Sequence, residues 1–233
     1  MSTLFSRFGG KTPQPLYCKQ SKGNPNLDVL LAWQAHILQK YGADEVDDFF
    51  LDALDDSFFN ELLSFSMYPK GPLLVKDYLY TYGIRFVVEP HLPKTYVDGA
   101  AFASHDGKPL VVLSLRHDRV DNFWFTLLHE LAHVVKHLYG GVDDRAFFDD
   151  TSSNPKECES LLEQEANDFA MEHLIPATRV DVQALDDASA WSPSKILATA
   201  KELKRSPAIL AGRIRYETGN YGLFSEMLGA KEL

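Results

Sequence analysis

Cysteine is scarce. The chain has two, Cys18 and Cys158, and neither stands in a Cys-x-x-Cys pair. That argues against a disulfide scaffold and fits a reducing compartment. Long apolar runs are missing as well. No stretch approaches the roughly 18 apolar residues of a spanning helix, and residues 1–10 lack the apolar core of a signal peptide. The expectation is a cytoplasmic protein with no membrane partner. Positive charge is in deficit: 23 Lys and Arg against 33 Asp and Glu leave a formal charge of −10. Such a chain is not built overall to neutralise phosphates, so any nucleic-acid role needs a local basic patch. The remainder is ordinary. Apolar residues are 45% and charged residues 24% of 233, enough for one large domain or a catalytic domain with appendages.

The pattern along the chain predicts helices first, strands next and helices again. Residues 1–26, rich in Gly, Pro, Lys and Ser, read as a tail or a loosely docked arm. Leu27, Leu30, Leu31, Ile37, Leu38 and Tyr41 recur at helical spacing before Gly42. One or two more helices are expected over 44–67, with Phe49, Phe50, Leu54, Phe58, Leu62 and Leu63 facing a core and Asp44, Glu45, Asp47 and Asp48 at a helix N-terminus. After the breaker Pro69-Lys70-Gly71-Pro72, a short helix over 73–82 ends at Gly83. The runs 84–88, 99–104 and 110–115 read as strands, the last two joined by a turn with Asp106-Gly107 at its centre. A long helix over about 122–139 ends at Gly140-Gly141, a polar loop spans 142–156, and another helix spans about 156–174. Three short helices finish the chain, one of them starting at Ser206-Pro207.

The chemistry is concentrated in His129-Glu130-Leu131-Ala132-His133. On a helix, residues four apart share a face one turn apart, so both imidazoles can ligate one small cation. Glu130 stands beside the pair, where its carboxylate suits a general base for an attacking water. A catalytic zinc needs a third protein ligand and leaves a fourth position open. The next helix offers Glu159, Glu163 and Glu165. Glu163 is favoured because Asn167, four residues on, shares its face and can orient a ligand histidine through a hydrogen bond. Glu163 and Glu165 fall on opposite sides of that helix, so only one can serve the site. Glu165 is the fallback and Glu159 the weaker alternative.

With these motifs in order, the chain resembles the ImmA/IrrE family of zinc metallopeptidases. The resemblance rests on Phe125-Thr126-Leu127-Leu128-His129-Glu130-Leu131-Ala132-His133, on Glu163-Gln164-Glu165-Ala166-Asn167-Asp168-Phe169-Ala170, on Leu174-Ile175-Pro176, and upstream on Asp98-Gly99-Ala100-Ala101 and the strand 109–115. It covers about residues 70–220. It implies a gluzincin-like site with His129, His133 and Glu163 as zinc ligands and Glu130 as base. It also implies a regulatory substrate, because members of the family are often encoded beside a repressor that they cleave, while others act in toxin–antitoxin-like regulators. The fold expected is α+β, a small antiparallel-rich sheet packed on the HExxH helix with helices flanking both ends. The organisation expected is a tail (1–26), an N-terminal helical region (27–83), a zincin-like metallopeptidase core (84–185) and a C-terminal helical region (186–233). Many relatives carry a helix-turn-helix in front of the peptidase region; residues 27–67 here are acidic and aromatic instead, so operator binding by them is not expected.

Other residues favour plainer readings. His137 continues the i+4 series but is carried about 6 Å further along the helix, so a structural role suits it better. His173 suits a helix C-terminus. His91, His105, His117 or Tyr96 are candidates to stabilise an oxyanion, although each is more commonly a surface residue. The segment 198–216 has the rhythm of a helix-turn-helix, with Arg213 and Arg215 on its second helix and Lys195, Lys201, Lys204 and Arg205 around it. DNA contact there is the lesser expectation; a helical hairpin packed on the catalytic domain is the greater. The acidic run from Asp44 to Asp56 reads as a solvated helix face, or as a dock for a basic partner.

Overall fold

Pro109–Leu113 has no polar residue, and every one of its side chains is buried. A strand of that kind needs cover on both faces of its sheet, and the architecture provides it. The computed structural model describes residues 27–90, 97–114, 118–139, 147–149 and 161–229. Within them, β1 (Arg85–Val88), β2 (Gly99–Ala103), β3 (Pro109–Leu113) and β4 (Phe147–Asp149) form one sheet in the order β1-β3-β2-β4. β1 runs parallel to β3; β2 runs antiparallel to both β3 and β4. Side chains alternate between the faces. Val111, Leu113 and Ala101 face one core, and Leu110, Val112, Ala100 and Phe102 face another.

The second face is covered by α1 (Leu27–Tyr41), through Leu30, Trp33, Ile37 and Leu38. The first face carries the larger core, built on α2 (Asp56–Ser64), α3 (Gly71–Thr81), α4 (Val120–Ala132), α5 (Leu161–Leu174), α6 (Pro193–Leu203) and α7 (Pro207–Thr218). The fold is thus α+β with an antiparallel-rich sheet against the HExxH helix, as the sequence pattern predicts. α4 is buried almost all round, from Thr126 to Ala132 without a break, as a helix enclosed by sheet and helices must be. It continues as a π-helical turn, His133–Leu138.

The acidic run departs from expectation. Residues 44–50 form no helix. Instead, α2 starts twelve residues later than Asp44, at Asp56, where Asp55 caps it by accepting from the backbone N–H groups of Ser57 and Phe58. The acidic strip serves cations of the sheet. Arg85 is buried and donates from Nε to the Asp44 carbonyl at 2.8 Å, and from Nη1 and Nη2 to Asp106 at 3.0 and 2.7 Å. Lys108 Nζ donates to the carbonyls of Val46 and Asp47 at 3.0 and 2.8 Å. A helix over these residues would have used those carbonyls internally. Phe50, expected in the core, is 66% exposed, whereas Phe49 packs against Tyr139. β4 also falls inside the expected 142–156 loop.

The C-terminal hairpin is docked on the core. Lys204 ends α6 in the left-handed conformation, φ 58°, and the Ser206 hydroxyl caps α7. Arg205 is buried and donates to Asn60 Oδ1 at 2.8 Å; Arg215 is buried and donates to the Tyr221 carbonyl. Arg213 pairs with Glu217 at 2.7 Å. A Cβ on Gly212 would lie 2.5 Å from Asp121 Oδ2 of α4, so this glycine permits the close approach of α7. No helix among the described residues is long and apolar enough to cross a membrane.

Candidate metal centre

Two helices build the site. α4 and its π-helical extension supply His129, Glu130, His133 and His137; α5, packed beside them, supplies Glu163, Glu165 and Asn167. His129, Glu130 and His133 are fully buried and Glu163 is 1% exposed. The i, i+4 spacing stacks the histidines one turn apart, with ring centroids 4.7 Å from each other. Their Nε2 atoms lie 3.0 Å apart. The Glu163 carboxylate closes the triangle, with Oε2 at 3.2 Å from His129 Nε2 and Oε1 at 3.5 Å from His133 Nε2.

These separations match a metal site. Ligands at about 2.0–2.1 Å from a tetrahedral zinc stand roughly 3.3 Å from one another, and the three observed edges bracket that length. Hydrogen bonding does not account for the arrangement. Neither Glu163 oxygen accepts a hydrogen bond of ordinary geometry, a costly state for a buried carboxylate. His129 Nδ1 lies 3.0 Å from Asn167 Oδ1. That oxygen only accepts, so Nδ1 carries the ring proton and Nε2 presents its lone pair to the triangle. That lone pair and the Glu163 carboxylate, 3.2 Å apart, repel each other unless a cation stands between them.

The electrostatics agree. Burial pushes the His133 imidazole down to about 4, against the opposing pull of Glu163, so the ring is neutral at pH 7. Burial also pushes the Glu163 carboxyl up, but as the His129 and His133 rings take up protons in acid their charge and N–H groups hold it below the ordinary carboxylate range, so at neutral pH it is ionised. Neutral imidazoles and one carboxylate leave the pocket negative and ready for a cation. His129, His133 and Glu163 are the metal-capable cluster among the described residues.

Glu130 follows His129 on α4 and is not one of the three groups of the triangle. Its carboxylate packs against the start of β2, where a Cβ on Gly99 would meet Glu130 Oε1 at 2.5 Å and Thr126 Cγ2 at 2.8 Å. His137 is not aimed into the triangle. Its Nδ1 lies 2.8 Å from His133 Nδ1, on the far side of that ring, and its Nε2 lies 3.1 Å from Glu165 Oε2. Glu165, the fallback ligand, therefore faces away from the triangle, with its side chain 57% exposed. Sequence reasoning missed the pairing of His137 with Glu165. The i+4 step from His133 was visible, but its partner lies on another helix. His105 lies on the exposed β2–β3 turn. Glu159, His91, Tyr96, His117, Cys18 and Cys158 lie outside the described residues.

Comparison with known proteins agrees with this geometry. Residues 81–204, more than half of the chain, match the family model of the peptidase type described as IrrE N-terminal-like domain. No curated protein matches the chain. The matched segment holds β1 to β4, the HExxH helix, Glu163 and Asn167, and on that ground the chain belongs to the IrrE N-terminal-like peptidase family.

Proposed function

We propose that this protein is a zinc-dependent endopeptidase of the cytoplasm that hydrolyses a peptide bond in a protein partner, a transcriptional repressor or regulator of the helix-turn-helix kind. The observation that carries the reading is the convergence of His129 Nε2, His133 Nε2 and a Glu163 carboxylate within 3.0–3.5 Å. A zinc ion held by these three would polarise the scissile carbonyl and make water a competent nucleophile near neutral pH. Glu130 takes the proton from the attacking water and delivers it to the leaving amine. Asn167 fixes the His129 ring through Nδ1. The −10 formal charge of the chain suits a basic partner such as a DNA-binding regulator. The test is Glu130→Gln with a candidate repressor as substrate. The variant keeps one zinc per chain and loses cleavage by roughly 10²–10⁴-fold; full cleavage by it overturns the mechanism.

The burial of the whole constellation favours a second reading. A site whose His129, Glu130 and His133 are 0% exposed also suits a structural metal in a non-proteolytic regulator that holds its partner. Such a regulator would bind the repressor with the same affinity after Glu130→Gln, and chelation would release no cleavage-dependent signal. Contact with DNA through α6 and α7 belongs to this reading, and a gel shift unchanged by Arg213→Ala and Lys201→Ala counts against it.

A further inference from the structure

We propose that His137 and Glu165 form a positioning relay that sets the tautomer of the metal-facing His133, the counterpart for the second histidine of what Asn167 does for the first. The inference rests on reading His129, His133 and Glu163 as a metal site. It begins from Glu165, whose carboxylate oxygen lies 3.1 Å from His137 Nε2. An ionised carboxylate only accepts, so Nε2 of His137 carries the proton. A neutral imidazole has a single N–H, which leaves His137 Nδ1 as an acceptor. The group 2.8 Å from it is His133 Nδ1, which must then be the donor. His133 is thereby held with its proton on Nδ1 and its lone pair on Nε2, turned toward His129 Nε2 and Glu163.

The two histidines reach the same tautomer by different means. His129 uses an amide oxygen of α5, supplied by Asn167. His133 uses a ring on its own helix, backed by a carboxylate of α5. The π-helical turn that starts at His133 contains His137, and such turns concentrate at functional positions. Without the relay, His133 could place its proton on Nε2, where it would block the metal. Partners of this kind are worth 10–100-fold in metal affinity.

The experiment reads tautomers and metal affinity separately. Long-range ¹H–¹⁵N spectra of the metal-free full chain should give Nδ1–H for His129 and His133 and Nε2–H for His137. His137→Leu should weaken zinc binding by about 10–100-fold and release His133 into a mixture of tautomers. His137→Gln, whose amide oxygen can accept from Nδ1–H, should recover most of that loss. Glu165→Ala changes a side chain at the surface, so it serves if the leucine variant fails to fold. It should release the His137 tautomer and weaken zinc by a smaller factor, since water can replace the carboxylate. Zinc affinity of both His137→Leu and Glu165→Ala within twofold of wild type, with His133 still Nδ1–H, overturns the relay. A wild-type chain that binds no zinc while showing those three tautomers overturns the metal reading and upholds the relay.

Discussion

The Glu130 carboxylate occupies the space that a side chain at Gly99 would need: a Cβ built there lies 2.5 Å from Oε1 and 2.8 Å from Cγ of Glu130. The glycine at the start of β2 is therefore a condition for the position of the proposed base. It is not a turn residue, and no unusual backbone angle calls for it.

Gly99→Ala tests this directly. The methyl group must displace the Glu130 side chain, and Thr126 blocks the other direction. Zinc content should stay at wild-type level, since no ligand is touched. A displacement of about 1 Å at a catalytic group costs on the order of a hundredfold in rate, so turnover on a cleavable substrate should fall by about that factor. Unchanged kcat in Gly99→Ala would separate Glu130 from catalysis.

Glu163→Ala and Glu165→Ala should part company in metal content. The first removes an edge of the triangle and should fail to retain stoichiometric zinc through dialysis. The second leaves the triangle intact and should retain it. Metal analysis of the two purified variants decides between the carboxylates, and the reverse pattern would move the third ligand to Glu165.

Arg85 and Asp106 predict an acid sensitivity away from the site. The Arg85 guanidinium, with a smaller opposing effect of burial, holds the Asp106 carboxyl below its ordinary value. A carboxyl lowered in the fold adds stability above its unfolded pKa, near 3.9, and that stability is lost as pH falls through the folded value. Asp106→Asn should remove this part of the acid transition and leave the buried Arg85 short of its partner. The cost should be about 1–3 kcal/mol at pH 7, at the lower end because the Asp106 side chain is 38% exposed. Denaturant melts at pH 7 and pH 3 measure both effects; equal losses at the two pH values would refute the linkage.

Gly212→Ala sets two effects against each other. Alanine improves helix propensity by about 0.8–1.0 kcal/mol. Its methyl would also sit 2.5–2.9 Å from the Asp121 side chain, which is 9% exposed and tied to Arg119 at 2.8 Å. Overpacking of that kind costs about 1–3 kcal/mol, so the net should be destabilising, by up to about 2 kcal/mol. A raised melting temperature would mean that α7 slides away from α4 at little cost.

What could be read from the sequence follows the range of the interactions. Helical periodicity was enough to set His129 and His133 on one face, and the wheel of α5 to set Glu163 and Asn167 on one side; the structure brings His129, His133 and Glu163 together, and the two glutamate variants decide which carboxylate holds the ion. The β2–β3 hairpin was visible through Asp106-Gly107, with Gly107 at φ 79°. The misses are tertiary. The acidic stretch from Asp44 was read by local charge as a helix start, but its carbonyls are claimed by Arg85 and Lys108, distant in sequence. β4 is three residues long and exists through its pairing with β2. Trp33, buried against Phe102, could not be assigned to the far face of the sheet before the sheet existed.

The division of the site between two helices has a thermodynamic consequence. α4 brings His129 and His133, and α5 brings Glu163 and Asn167, so no ligand set survives if the two helices part. An ion bound at the triangle is then bound only by the folded chain. Its binding free energy adds to folding free energy, by about 2.7 kcal/mol when the free ion stands at a hundred times its Kd. The melting temperature becomes a readout of free metal, and chelation should lower it without touching any substrate. For a cell, abundance of the folded protein and supply of the ion would be one variable.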